Sequence, residues 1–164
     1  MPQRPQSVRL NELLPVPQVT DWDRDGTADA QDEWIELYNA ARRAVDISGW
    51  TLEVTGQSGV VDTYTFPRRT TLQGDRYLLQ FQSVTGLVLD DAGGRVRLLD
   101  ADGDLVDQVT YGRLAADTSY SRLLQDNWTN ELPPSPGESN AGAAPALRGK
   151  ARPTATPTRI RPRR

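Results

Sequence analysis

Short apolar runs that alternate with polar residues recur along residues 7–123, and this pattern constrains the fold more than any other feature. Residues 50–54 place Trp50, Leu52 and Val54 on one face of an extended segment. Because Gly, Pro, Asp and Asn separate the runs, the pattern favours an all-β sandwich or barrel over alternating strands and helices. The predicted strands are 8–14, 34–38, 50–54, 62–66, 76–81, 95–99, 105–111 and a short last strand within 119–123.

Two details of these strands concern the core. Trp34 and Trp50 are the largest apolar side chains at strand positions, and aromatic residues at strand spacing are usually buried. The run RYLLQF at 76–81 is rich in apolar residues, which indicates a more deeply buried strand.

The DADGD segment at 100–104 predicts a hairpin turn, with a second metal site as the weaker alternative.

The composition excludes several classes of site. The chain contains no His and no Cys, so it has no Ser-His-Asp or Cys-His nucleophile, no disulfide and no zinc site built on these residues. No apolar run approaches the roughly 18 residues of a membrane span, and the first residues show no signal-peptide pattern. Either the chain is cytoplasmic or its leader lies outside this sequence.

Charge divides the chain into two parts. Residues 141–164 hold seven of the 19 basic residues and no acidic residue, so residues 1–140 carry 12 basic and all 22 acidic groups. The last segment is also rich in Pro and Thr, which cannot bury enough surface to offset the entropy of ordering. We therefore predict a disordered N-terminus at 1–6, one domain at 7–140 and a disordered linker or tail at 141–164.

An acidic segment before the second predicted strand carries the strongest signal for a site. Residues 21–33 read DWDRDGTADAQDE, and seven acidic residues between positions 21 and 36 are opposed only by Arg24. Such a density of carboxylates costs repulsion unless a cation or solvent relieves it. Counted from Asp21, carboxylates occupy loop positions 1, 3, 5, 9 and 12, and Gly26 occupies position 6. This is the ligand spacing of an EF-hand-type calcium loop.

The spacing predicts a structural Ca²⁺ site that orders the loop. Ca²⁺ takes about 6–8 oxygen ligands, and alternating carboxylates converge on one ion only where the chain turns sharply, as Gly26 permits. The candidate ligands are Asp21, Asp23, Asp25, Thr27 through its backbone carbonyl, Asp29, Asp32 and Glu33. Asp32 stands where EF-hands usually carry a bidentate Glu, and Glu33 could substitute for it or support it. The alternative is a solvated acidic loop whose Asp and Gly residues make turns.

Several phrases, taken in order, resemble a bacterial lamin tail domain over about residues 7–140. Asn11-Glu12 in the first strand is followed by DEWIELYN, DISGWTL, YTFP, RYLLQF, VRLLDADGDLVDQVTYG and SPGESN. The resemblance implies an immunoglobulin-like β-sandwich of about seven to nine strands. It also implies a non-catalytic module of the kind often found beside secreted hydrolases, nucleases or surface-anchored regions. Glu12 and Glu36 belong to these phrases, and their carboxyls could be catalytic, could accept hydrogen bonds, or could help to hold a cation.

These observations together predict a non-catalytic binding, adhesion or structural module of a secreted or cell-surface bacterial protein, with a Ca²⁺-ordered loop. The PTATPT segment resembles the stalks of bacterial surface proteins, which favours an extracellular location. One alternative is a nucleic-acid-binding module that uses the basic tail, and another is an accessory domain of a hydrolase. The sequence identifies neither the partner, be it a protein or a surface ligand, nor the oligomeric state.

Overall fold

The structure is a computed structural model that describes residues 7–140, and within this range the chain forms eleven strands. In chain order they are β1 (Val8–Leu14), β2 (Trp34–Asn39), β3 (Val45–Asp46), β4 (Thr51–Thr55), β5 (Val61–Thr65), β6 (Thr71–Leu72), β7 (Arg76–Phe81), β8 (Gly93–Leu99), β9 (Leu105–Gly112), β10 (Tyr120–Arg122) and β11 (Trp128–Thr129). One helical turn, α1 (Gln82–Thr85), and two 3₁₀ turns, Ala30–Asp32 and Leu124–Asp126, complete the elements of this range.

The strands form antiparallel sheets that confirm the predicted all-β sandwich. The first sheet has the order β11-β10-β1-β2-β7, the second has the order β5-β4-β8-β9, and β3 pairs with β6 in a small two-stranded sheet. All eight predicted strands are present, and the three that were not predicted (β3, β6 and β11) have only two residues each. The hairpin predicted at DADGD is also present, since Gly103 N–H donates to the Asp100 carbonyl at 3.0 Å.

The core lies between the two larger sheets. Leu10 and Leu37 enter it from the five-stranded sheet, and Leu52, Val96 and Leu98 enter it from the four-stranded sheet, all with no exposed surface. The two predicted core tryptophans are both buried, with Trp50 8% and Trp34 1% exposed, but only Trp50 belongs to the core between the sheets. Trp34 lies on the outer face of β2, on the same side as Glu36. Trp34 contacts Trp22 edge-on, with 6.3 Å between ring centroids.

The depth of burial differs from the sequence prediction at RYLLQF. This run forms β7, which is an edge strand of the five-stranded sheet and is only half-buried. The prediction of a deeply buried strand is therefore wrong at this position. The most deeply buried strands are β1 and β2, because they lie inside the sheet and the segment 133–140 covers part of their outer face.

The predictions for 1–6 and 141–164 concern segments outside the described residues. Among residues 7–140, no helix has the length and apolar character that a membrane crossing requires.

Candidate functional site

The acidic loop connects β1 to β2, two neighbouring antiparallel strands of the five-stranded sheet. It leaves the sheet after Leu14 and returns through the 3₁₀ turn Ala30–Asp32. Trp22, inside the loop, packs against the Trp34 ring at an interplanar angle of 70°. The loop is therefore anchored to the sheet by an aromatic contact as well as by its two ends.

Three of the predicted ligands come together at the tip of the loop. Each of Asp21, Asp23 and Asp25 contributes a carboxylate oxygen, and these oxygens lie within 4.8 Å of one another. Asp21 and Asp23 are half-buried, whereas Asp25 is exposed. Three carboxylates this close repel one another, so a cation placed between them would relieve the repulsion.

Backbone N–H groups of the same loop hold these carboxylates in place. Asp21 Oδ2 accepts from Gly26 N–H at 2.9 Å, Asp23 Oδ1 accepts from Asp25 N–H at 3.1 Å, and Asp25 Oδ1 accepts from Thr27 N–H at 2.8 Å. Gly26 has φ of +102°, a conformation that L side chains rarely adopt. The predicted role of this glycine in the turn is confirmed.

The donor set suits a hard cation. Carboxylate oxygens are the ligands that Ca²⁺ prefers, and the ion takes about 6–8 oxygens, more than three monodentate carboxylates supply. The Thr27 carbonyl, the second carboxylate oxygens and water are the remaining sources. The geometry is therefore compatible with a partly hydrated Ca²⁺ held by the three aspartates.

The structure does not bring Asp29 and Asp32 into this triad. Asp29 caps the 3₁₀ turn, accepting from Gln31 N–H at 2.8 Å. Asp32 is fully buried, and its carboxylate accepts from the N–H groups of Trp22, Asp23 and Asp29 at 2.5, 2.8 and 2.9 Å. Asp32 therefore links the start of the acidic segment, at Trp22 and Asp23, to Asp29 near the end of that segment.

Glu33 faces the interior of the sandwich and also lies apart from the triad. Its carboxylate accepts from Leu89 N–H at 2.6 Å, and the residue is 5% exposed. Burial raises the pKa of Glu33 to about 8, with a smaller contribution from Asp91, while the hydrogen bond from Leu89 opposes the shift. A carboxyl that is largely protonated at neutral pH is a poor cation ligand.

Glu12 and Glu36 lie buried on the outer face of the five-stranded sheet, under a segment that we call the C-terminal strap (residues 133–140). Glu12 accepts from the hydroxyls of Ser119 and Ser121 at 2.6 and 2.9 Å and from Ser135 N–H at 3.1 Å. Of the alternatives for this carboxyl, hydrogen bonding is the one that the contacts support.

Glu36 is held in the same way. It accepts from the Asn11 side-chain amide at 2.7 Å and from Gly137 N–H at 2.5 Å. Burial raises the pKa of Glu36 to about 7, although both hydrogen bonds oppose the shift. The carboxyl is therefore engaged in holding the strap on the sheet.

Sequence reasoning missed the role of the strap. The SPGESN phrase predicts the end of regular structure, but nothing local shows that its backbone caps glutamates more than 100 residues earlier. Asn140 completes the arrangement, donating to the carbonyls of Asn11 and Arg122 at 2.8 and 2.9 Å. The available signal was the pair of glutamates inside strands β1 and β2, since buried carboxyls require hydrogen-bond partners.

Comparison with known proteins gives one family. The sequence model of the Lamin Tail Domain matches residues 2–113, which is well over half of the chain. No curated protein matches the chain. The match agrees with the resemblance expected from the sequence and with the antiparallel sandwich, and members of this family have an immunoglobulin-like fold that is typical of non-catalytic modules. The chain belongs to the lamin tail domain family.

Proposed function

We propose that this chain is a non-catalytic interaction module of a secreted or cell-surface bacterial protein, and that Ca²⁺ orders its acidic loop. The observation that carries the calcium part is the convergence of the Asp21, Asp23 and Asp25 carboxylates within 4.8 Å of one another. Their spacing around Gly26 supports the same conclusion, because it follows the oxygen-ligand pattern of calcium loops.

The non-catalytic part rests on the use that the fold makes of its acidic groups. The chain has no His and no Cys, and the buried glutamates that could serve as acids or bases are occupied by strap or backbone hydrogen bonds. A site for general acid–base chemistry needs a group that reaches the substrate. Glu12, Glu33 and Glu36 are all buried in the free protein.

The extracellular location is supported by the chemistry of the loop and by the Pro/Thr stalk-like segment. Extracellular calcium modules bind the ion at about 10⁻⁴–10⁻³ M, an affinity suited to a site of three aspartates completed by water. The alternative of nucleic-acid binding depends on residues 141–164, which lie outside the described residues, and it stays a prediction, as does the role of an accessory domain of a hydrolase.

The test is the melting temperature in Ca²⁺ and in chelator, followed by circular dichroism. A ligand that binds only the folded state at 100 times its Kd adds about 2.7 kcal/mol to the free energy of unfolding. We therefore expect 10 mM Ca²⁺, on the order of ten or more times the Kd of an extracellular module, to raise the melting temperature by several degrees. Coincident melts in Ca²⁺ and in chelator would refute the calcium part of the proposal.

Two matched variants make this test specific. Asp25→Asn keeps the oxygen that accepts from Thr27 N–H but removes one charge from the triad, so the Ca²⁺-dependent shift should shrink. Asp102→Asn removes the same charge from an exposed hairpin turn and should leave the shift unchanged. Equal loss of the shift in both variants would indicate a general charge effect.

Trp22 gives a second readout. This indole lies inside the loop and contacts Trp34. If Tb³⁺ occupies the loop, excitation of tryptophan should therefore sensitise Tb³⁺ luminescence. Excess Ca²⁺ should displace the Tb³⁺ and lower the luminescence. Trp22→Phe should reduce the signal more than Trp128→Phe, which alters β11. The same signal from both variants would place the ion elsewhere.

A further inference from the structure

A row of three side chains crosses the outer face of the five-stranded sheet, away from the core. Arg9 on β1 pairs in register with Tyr38 on β2, and Tyr38 pairs with Tyr77 on β7. The two tyrosine rings stack with centroids 4.6 Å apart and 24° between planes. The guanidinium carbon of Arg9 lies 5.5 Å from the Tyr38 centroid, within reach of a cation–π interaction.

This row forms the floor of a groove of about 530 Å³. The strap supplies one wall with Ser139 and Asn140, and the end of β10 with the turn that follows it supplies the other with residues 122–125 and Asn127. We call this space the outer-face groove. It combines apolar surface with a few polar groups, as ligand-binding clefts commonly do.

Arg9 has unused hydrogen-bonding capacity in this groove. Its Nε is buried without a partner, and among residues 7–140 its guanidinium forms neither a hydrogen bond nor an ion pair. A buried donor without an acceptor costs free energy. This is unexpected in a domain whose acidic residues outnumber its basic residues about two to one.

Arg122, which lines the same groove, shows the contrast. Its Nε donates to the Leu10 carbonyl at 2.7 Å, one Nη donates to Asp126 at 2.6 Å, and the other pairs with Asp107. Arg122 is therefore satisfied within the domain. Arg9 is the arginine of the described groove without an anionic partner, so its guanidinium is available to an external carboxylate or phosphate.

The second wall adds an apolar contact at the rim. Gln125 and Asp126 have φ of 61° and 60°, a left-handed conformation that is uncommon for residues other than glycine. The Arg122–Asp126 ion pair holds this turn, and the turn leaves Leu124 82% exposed. Backbone strain of this kind persists where the surrounding structure enforces it, often at binding sites.

We propose that the outer-face groove binds an extended acidic segment of a partner polypeptide, with an Asp or Glu carboxylate on Arg9 and an adjacent apolar side chain against Leu124. A phosphate polymer fits less well, because the groove offers one free guanidinium beside apolar surface, whereas binding of a phosphate backbone relies on several basic side chains. The inference rests on the proposed role as an interaction module, and it does not depend on the calcium loop.

A pair of capped octapeptides tests this proposal in the full chain, by amide chemical shifts in an NMR titration. The peptide SGSELSGS carries the carboxylate and the leucine, and SGSQLSGS differs only by its neutral amide. We expect the acidic peptide to bind at least about fivefold more tightly, since hydrogen bonds between charged groups exceed neutral ones. Equal binding of the two peptides, or binding of neither, would overturn the proposal.

Variants then locate the contacts. Arg9→Gln should bind both peptides equally, whereas Arg95→Gln, at an exposed position of β8 in the other sheet, should keep the preference. Leu124→Ala should weaken both peptides by a similar factor and keep the preference, and it alters a side chain that is mostly exposed. A preference that survives Arg9→Gln in a folded protein would contradict the assignment.

Two further experiments complete the test. The first distinguishes a polypeptide ligand from an acidic saccharide, and the second distinguishes failure of the groove proposal from failure of the calcium proposal. Tetragalacturonate presents carboxylates without an apolar side chain, so tighter binding of this saccharide than of SGSELSGS would overturn the choice of a polypeptide. The titrations are run with Ca²⁺ and with chelator. If no peptide binds while Ca²⁺ still raises the melting temperature, the groove proposal fails and the calcium proposal stands.

Discussion

At the scale of single residues, the buried carboxyls have the largest consequences. Glu33 is almost fully buried, and burial raises its pKa to about 8, while the pKa of Glu36 rises to about 7 for the same main reason. An unfolded glutamate titrates near 4.5. Between these values the folded state holds protons that the unfolded state has lost, so the free energy of unfolding falls as pH rises.

Glu33→Gln tests this linkage. The amide oxygen can still accept from Leu89 N–H, but the residue no longer titrates, so the variant should lose less stability than the wild type between pH 4.5 and about 8. The difference is on the order of a few kcal/mol and is measured by denaturant unfolding at several pH values. The Glu36 part should persist in the variant up to about pH 7.

The control for this prediction is Glu138→Gln, because Glu138 is exposed. That variant should follow the wild-type pH dependence. If Glu33→Gln also follows the wild-type curve, Glu33 is ionised in the folded state and the burial argument is wrong.

At the scale of elements, the C-terminal strap explains how β1 and β2 accommodate buried polar residues on the outer face of the sheet. Asn140 donates to the carbonyls of Asn11 and Arg122 and accepts from the Asn11 amide at 3.1 Å. It therefore links the strap to β1 and β10 through buried hydrogen bonds. The strap functions as a covering layer for the outer face of the sheet.

Asn140→Ala should destabilise the domain by about 2–4 kcal/mol, because it leaves buried carbonyl groups without donors. Chemical denaturation measures the change. Glu138→Ala, at an exposed position two residues earlier in the same strap, should change the free energy of unfolding by less than about 0.5 kcal/mol. Equal effects of the two substitutions would show that the strap is not held by Asn140.

The elements also show what sequence reasoning can and cannot reach. Alternation located the eight longer strands because it reports which face of a strand is buried. The apolar-rich run RYLLQF gave the wrong depth for β7, because it has the composition of an interior strand but forms an edge strand with no neighbour beyond it, and strand order is not a local property. Two-residue strands such as β3 are too short to carry a period.

In the candidate site, too, the sequence predicts the local arrangement but not the tertiary contacts. The spacing of Asp21, Asp23 and Asp25 around Gly26 is local, and the structure brings these three together. In the sequence Asp32 occupies position 12 of the pattern and Glu33 follows it as a possible substitute, but Asp32 binds loop backbone and Glu33 turns toward Leu89, 56 residues away. A spacing pattern cannot include these tertiary contacts.

At the scale of the whole molecule, the ordered fold extends beyond the segment that the family model matches. The match ends at residue 113, directly after β9. In the structure, β10 pairs with β1 and β11 pairs with β10, so both belong to the five-stranded sheet. Arg122 on β10 also pairs with Asp107 on β9, which ties this sheet to the other one.

A chain that ends at residue 113 should therefore not fold cooperatively, whereas a chain that ends at residue 140 should unfold in one transition. The shorter chain lacks β10, β11 and the strap, so it exposes an edge of β1 and leaves Glu12 and Glu36 without most of their donors. Losing several hydrogen bonds of about 1–3 kcal/mol each, together with the packing of Tyr120 and Trp128 against the core, removes a large fraction of the roughly 5–15 kcal/mol that stabilises a typical domain. Near-ultraviolet circular dichroism during heating distinguishes the two chains, since Trp34 and Trp50 report fixed packing only in a folded sandwich. If the chain ending at 113 melts sharply and at the same temperature as the longer one, the hydrogen-bonded cover of β1 and β2 is dispensable, and the buried glutamates must be stabilised by some other group.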